Sequence, residues 1–338
     1  MSYIEPQDVV SPRAHWHLFD VILNEGEGGC AYALGTWDGE KRIGFRWNGS
    51  ADTGRIGNPQ SRGLPTWTML DSALHGAVVE LLKPETQVLA RRFLGLRSTT
   101  EWQAIVDKMR KLHRDRIARI VANKTPVPID GGAILVLHVV PFCAVDGSPP
   151  TSTELLFRNP ERFPPIGKDR PTDSAVDHTG LLTCSSELSK SQRAYVHVSQ
   201  SGVVESVASN VGGTDQSIDL EKLTNFVVKF SQKYSISLAE AGFSPPTAIL
   251  VSLVAASGLR LLQQLILGAF SVDMPQRTLS ESTIHFGETT IEGIPSSLNE
   301  TAKELRPILN VLANASGLAS CPFFDADGNY TSKMRVGL

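Results

Sequence analysis

Residues 131–144 read GGAILVLHVVPFCA, and no other stretch limits the fold as strongly. Within it, residues 134–140 are six aliphatic side chains and His138. A run of that length between a Gly-Gly pair and Pro141 predicts a strand buried on both faces, the middle of a sheet, rather than a helix. Pro141 has no amide for a ladder, so pairing should fade there, and Asp146, Gly147, Ser148, Pro149 and Pro150 supply turn chemistry beyond it. His138 has two readings. It is a core histidine with a ring nitrogen on a backbone carbonyl, or a ligand or proton-transfer group; the sequence gives it no partner motif.

A chain of 338 residues exceeds the usual size of one core, so two or three domains are expected. The patterning divides it into a small Trp-rich α+β domain over 1–84, a basic helical connector over 85–130 and a larger α+β domain over 131–338. The predicted fold class is α+β: a small N-terminal four-stranded sheet with one helix, then a larger mixed α/β sheet with packed helices.

In 1–84, strands are expected at 16–23, 30–37 and 42–47, with Asp38-Gly39 as a hairpin turn. A long loop over 48–64 leads to a fourth strand at 65–70. Asp71 should cap a helix over 72–83, with Leu74, Val78, Leu81 and Leu82 as its apolar stripe and Pro84 as its end. Trp16, Trp37, Trp47 and Trp67 are interleaved with Arg42, Arg46, Arg55 and Arg62. Such a sheet can stack bases and neutralise phosphates, which nominates Trp37, Arg46 and Trp47; equally, a small sheet needs large side chains to build a core under one helix. The glycines at 26–29 do not form a phosphate cradle, since two glutamates sit among them and no helix follows.

A second helix is expected over 86–96 and a third over 101–123, capped by Ser98 or Thr100. Ile105, Met109, Leu112, Ile117, Ile120 and Val121 form the buried stripe of the third helix. Its other face carries Lys108, Arg110, Lys111, Arg114, Arg116 and Arg119 against Asp107 and Asp115. Uncovered, those six cations would contact phosphates and make binding fall with salt; the alternative is an ordinary solvated face.

Downstream, a proline-rich surface excursion over 146–177 contains Asp173 and Asp177 beside His178, the nearest approach to a metal or acid-base cluster, without a defined motif. Strands follow at 178–185, 194–200 and 202–208. Asp219 caps a helix stopped by Gly242, and a buried strand lies at 247–256. The apolar segment 259–270 reads as buried or as a docking face, and 282–291 as a weaker strand. A last helix runs from Ser297 or Asn299 to 315, with Pro307 inside it. Asp325, Asp327 and Asn329 fail the test for a calcium loop, because glycine falls at the fourth position and Val336, not glutamate, at the twelfth.

Residues 116–129, RIARIVANKTPVPI, and the Leu-His-Val-Val-Pro-Phe run that follows resemble the segment downstream of the Schlafen-AlbA domain in bacterial proteins described as ATP-binding or transcriptional regulators. The similarity extends more weakly over about 110–330, through 180–183, the Gly202 hairpin and 323–330. The AlbA domain itself is not recognisable before residue 110, so its nucleotide site is carried over to no residue. The resemblance implies a bacterial protein acting with nucleic acid, in defence or regulation.

A net charge of −3 gives no global attraction to nucleic acid or membrane, leaving local patches. Cys30, Cys143, Cys184 and Cys321 are scattered without paired spacing and read as reduced, buried thiols of a cytoplasmic protein. No stretch is long enough to span a bilayer. No P-loop, dinucleotide fingerprint, nucleophile elbow or zinc-protease motif is present, so no cofactor, metal or catalytic residue is assigned. The expected function is therefore a non-catalytic binding or adaptor protein that contacts DNA or RNA. Two alternatives stand beside it: a protein-interaction or homo-oligomeric subunit docking through 259–270, and a hydrolase or nuclease around Asp173, Asp177, His178 and His138.

Overall fold

The structure, a computed structural model, describes residues 3–332 apart from 53, 97–98, 146–152, 213–215, 244 and 268–269. The chain forms two compact units, 1–103 and 104–338, with the division inside one helix. Among the described residues no helix is long and apolar enough to cross a membrane.

The first unit is an antiparallel sheet, β1 (Trp16–Asn24), β2 (Cys30–Trp37), β3 (Glu40–Ser50) and β4 (Arg55–Asn58), in that order. A small β5–β6 hairpin (Gln60–Ser61, Leu64–Pro65) follows, and β7 (Thr68–Met69) pairs with β3. The loop expected over 48–64 thus holds a sheet strand and a hairpin. Asp71 caps α1 (Ser72–Glu80), its carboxylate accepting from the Ala73 amide, and α2 (Pro84–Leu94) follows. Half of the expected stripe packs inward, with Leu82 buried and Val78 partly so, but Leu74 is 52% and Leu81 78% exposed, and His75 and Val79 are buried in their stead. The His75 ring is buried with its Nε2 accepting from the Ile43 amide of β3 at 3.3 Å.

The second unit begins within α3 (Thr99–Val121). The cap proposed at Ser98 or Thr100 and the turn at 146–150 lie outside the described residues or side chains. β8 (Ile134–Pro141) is buried at every position, as its composition demanded. It sits third in an antiparallel sheet of order β17-β14-β8-β12-β11-β10-β9. The other strands are β9 (Asp173–Val176), β10 (Gly180–Cys184), β11 (Ala194–Ser199), β12 (Val204–Ala208), β14 (Thr247–Val254) and β17 (Thr283–Ile291). A three-stranded sheet joins β13 (Ser217–Asp219), β15 (Arg260–Leu267) and β16 (Phe270–Thr278).

Strand alternation divides the side chains of β8 between two cores. Leu135, Leu137 and Val139 meet α5 (Leu220–Glu240) and α6 (Leu298–Ala315), including Val227, Phe230, Leu305 and Leu309. Ile134 and Val136 face the other way, onto Ile117 and Ile120 of α3. Ile105 and Met109 of the expected α3 stripe are also buried, whereas Val121 is exposed.

The described part of the proline-rich excursion, from residue 153 on, is packed against the core. It contains α4 (Thr153–Phe157), and Leu156, Phe163 and Ile166 are buried in the core, with the Phe163 carbonyl accepting from Thr183 and the Pro164 carbonyl from Tyr234. Segment 259–270 begins in the core, where Leu259 and Leu261 are buried; its side chains from 263 onward lie outside the described residues. All four cysteines are free, but only Cys184 and Cys321 are buried. At the C-terminal end the Asp325 carboxylate accepts from the Asn329 amide at 2.7 Å, closing a tight turn.

Candidate functional site

Three strands that read as apolar each carry one polar residue on the face turned to α3: His138 in β8, Glu205 in β12 and Ser252 in β14. Register aligns them, since His138 pairs with Glu205 on one side and Leu250 on the other, with Ser252 two residues beyond. α3 lies over this row and contributes His113 and Arg116. The row ends on β17, where Glu288 pairs with Leu250 and His285 with Ser252, so that Phe286 and Gly287 both stand opposite Val251. That bulge, with Gly287 at φ +91°, returns His285 and Glu288 to one face while Phe286 enters the opposite core.

The result is a continuous chain of contacts. Arg116 donates through Nε and Nη2 to the two Glu205 oxygens, both at 2.6 Å, and the Tyr195 hydroxyl donates to Oε1 at 2.9 Å. His138 Nε2 lies 3.2 Å from Glu205 Oε2, and its Nδ1 lies 2.7 Å from His113 Nδ1. His113 Nε2 is 2.6 Å from Ser252 Oγ, which is 2.7 Å from His285 Nδ1. His113, His138, Ser252 and Glu205 are buried and His285 is exposed. His138 therefore has two side-chain partners instead of a backbone carbonyl.

Burial alone would raise the Glu205 carboxyl, but the Arg116 fork and the His138 ring hold it well below the usual carboxylate range. Burial, with His138 and His285 beside it, pushes His113 down to about 2. Burial and the neighbouring carboxylate push the Tyr195 hydroxyl up. A buried anion compensated by a forked guanidinium, with a file of imidazoles leading away from it, can hold or relay protons and cannot itself meet a ligand. Contact with the outside is at His285, where a pocket of about 210 Å³ is lined by Arg110, His113, Arg114, Leu250, His285, Gly287 and Glu288.

The cations nominated on α3 divide into three kinds. Arg116 is committed to Glu205. Arg110 is paired with Glu288 and, at 3.4 Å, with Asp107. Lys108, Lys111, Arg114 and Arg119 are exposed, Lys108 reaching the Val145 carbonyl at 3.3 Å, and no carboxylate pairs with any of the four among the described residues.

In the first unit Trp37 is half-buried and stacks on His15 with centroids 5.6 Å apart. Trp47 is 56% exposed and meets Phe45 edge-on, which in turn meets Tyr32. Arg46 does not face outward: it is 0% exposed, donates to the Ile56 carbonyl at 2.7 Å and lies over Trp67. On a strand whose residues alternate in and out, Trp47 and Arg46 must take opposite faces, and the aromatic took the open one.

Asp173 accepts from the Ser174 and Leu188 amides, and Asp177 from the Thr179 and Gly180 amides. Asp177 closes a local turn, Asp173 ties the start of β9 to the loop at Leu188, His178 is exposed nearby, and among the described residues no group of side chains could hold a metal ion. A larger groove of about 790 Å³ against α5 includes Arg162, Lys229, Lys233 and Glu240, two of these in ion pairs with each other. No family model matches the chain, and neither the curated proteins nor the solved structures contain a significant match to it.

Proposed function

We propose that the chain is a binding protein that holds nucleic acid by its phosphates along the outer face of α3, in the service of bacterial defence or regulation. The observation that carries this reading is the exposure of Lys108, Lys111, Arg114 and Arg119 without carboxylate partners among the described residues, although the chain as a whole is acidic. Eleven residues separate the first from the last, roughly 16 Å of helix, enough to follow about five phosphates of one strand. Contacts of this kind position a duplex or single strand without reading its sequence.

Electrophoretic binding to single- and double-stranded DNA and to RNA over a salt series tests it. Four phosphate contacts on duplex DNA give a slope of log K against log salt of about −3 to −4. Replacing all four cations by alanine should abolish the binding and the slope. Absence of salt-sensitive binding to any of the three nucleic acids would remove the reading. Separately from α3, the open Trp47 ring of the first unit offers a base a stacking surface; fluorescence quenching that is lost in Trp47→Leu is the corresponding signal.

A further inference from the structure

The chain of contacts behind the α3 pocket has one direction. Glu205 is anionic and can only accept, so His138 gives it Nε2–H and keeps a bare Nδ1. His113 must then donate Nδ1–H to that atom and keep a bare Nε2, which takes the Ser252 hydroxyl proton. The Ser252 oxygen in turn accepts Nδ1–H from His285. The tautomer of each ring follows from the one before it. At the open end, neutral His285 therefore has only Nε2 left over, and that atom is an acceptor. It turns into a donor only when the ring becomes imidazolium.

The charge so created stays at the surface. Passing it inward requires a charged His113, which burial and the flanking histidines oppose, or a protonated Glu205, which Arg116 opposes. The groups facing His285 are Arg110, His113 and Arg114 from α3, Ser252 from β14 and Glu288 from its own strand; the pocket lining includes no residue of α6. Arg110 and Glu288 neutralise one another. What the pocket offers a ligand is then the fork of Arg114 together with a proton-dependent donor at His285.

We propose that this pocket binds the phosphate group of a small phosphomonoester through Arg114 and His285, whose Nε2 needs a proton to meet the anion. A tetrahedral dianion suits the pair, because it can accept a forked guanidinium contact and an imidazolium contact on different oxygens. The inference shares only Arg114 with the nucleic-acid reading, since Lys108, Lys111 and Arg119 do not line the pocket.

Calorimetry of the full chain with inorganic sulfate, a dianion at every pH used, and with inorganic phosphate tests the proposal. Sulfate should bind more weakly as pH rises, with net proton uptake seen in paired buffers of different ionisation enthalpy. Arg114→Gln should lose about ten- to a hundredfold in affinity, the worth of a charged hydrogen bond. His285→Gln should bind weakly and without pH dependence; as an exposed residue it leaves the fold intact, which a thermal melt verifies. No anion binding at pH 6, binding unchanged in both variants, or acetate binding as tightly as sulfate would each overturn the assignment. Loss of nucleic-acid binding in a Lys108, Lys111 and Arg119 triple-alanine variant, with sulfate affinity retained, separates the two sites.

Discussion

Arg116 meets Glu205 where the carboxylate is buried and the guanidinium about three-quarters covered, and both carboxylate oxygens are committed to the same fork. Removing one member strands the other. Arg116→Met should destabilise the protein by about 3 to 5 kcal/mol, measured by denaturant unfolding, whereas adding Glu205→Leu to it should recover much of the loss. A cost under about 1 kcal/mol for the single change would mean that the pair is not held as described. The same scale explains what a one-dimensional reading missed. His113, His138, Glu205, Ser252 and His285 are separated by tens of residues and match no motif. Their signal was weaker but present: on the α3 face, each of three buried, largely aliphatic strands carries one polar side chain. Arg46 was misread for a related reason, because interleaving with tryptophans does not say which face of β3 an arginine occupies.

At the scale of elements, the bulge in β17 decides where the row ends. If β17 alternated regularly through this point, His285 and Glu288, three residues apart, would lie on opposite faces, and the pocket would lose one wall. Gly287 has open space where a Cβ would stand, so Gly287→Ala meets no neighbour; its cost is backbone strain at φ +91°, about 1 to 2 kcal/mol. Sulfate affinity and stability should fall together in that variant, and an unchanged melting temperature would show that the bulge needs no glycine. Element types and most boundaries were legible from composition and caps: β8 from its aliphatic run, α5 from Asp219, and α6 from Ser297, whose hydroxyl accepts from the Glu300 amide. β4 and β16 were not, since the first is hidden among glycines and asparagines and the second contains Pro275, which reads as a break.

For the molecule as a whole, the buried rings make stability depend on acidity. His113 has a folded value near 2, below its unfolded one, and burial lowers His75 and His197 as well. For a depressed histidine the stabilising contribution is complete above about pH 6.5, starts to disappear as pH falls past that point and goes on falling toward the folded value. His113 alone can remove up to about 1.4 kcal/mol per pH unit in that interval. Depressed Glu205 adds a loss of the same sign at pH values below the usual carboxylate range. Urea midpoints should therefore drop steadily between pH 6.5 and 4, and His113→Asn should flatten the trend; a midpoint constant over that range would contradict a neutral buried His113.

The seven-stranded sheet is not laid down in spatial order. β8 and β12, which hold His138 and Glu205, come early in the second unit, but the strand bearing His285 is added at the far edge by residues 283–291. During synthesis the inner half of the row can close around its ion pair well before its mouth exists. A product released before residue 283 would carry a sealed wire with no terminal, folded around a charge that nothing outside could reach.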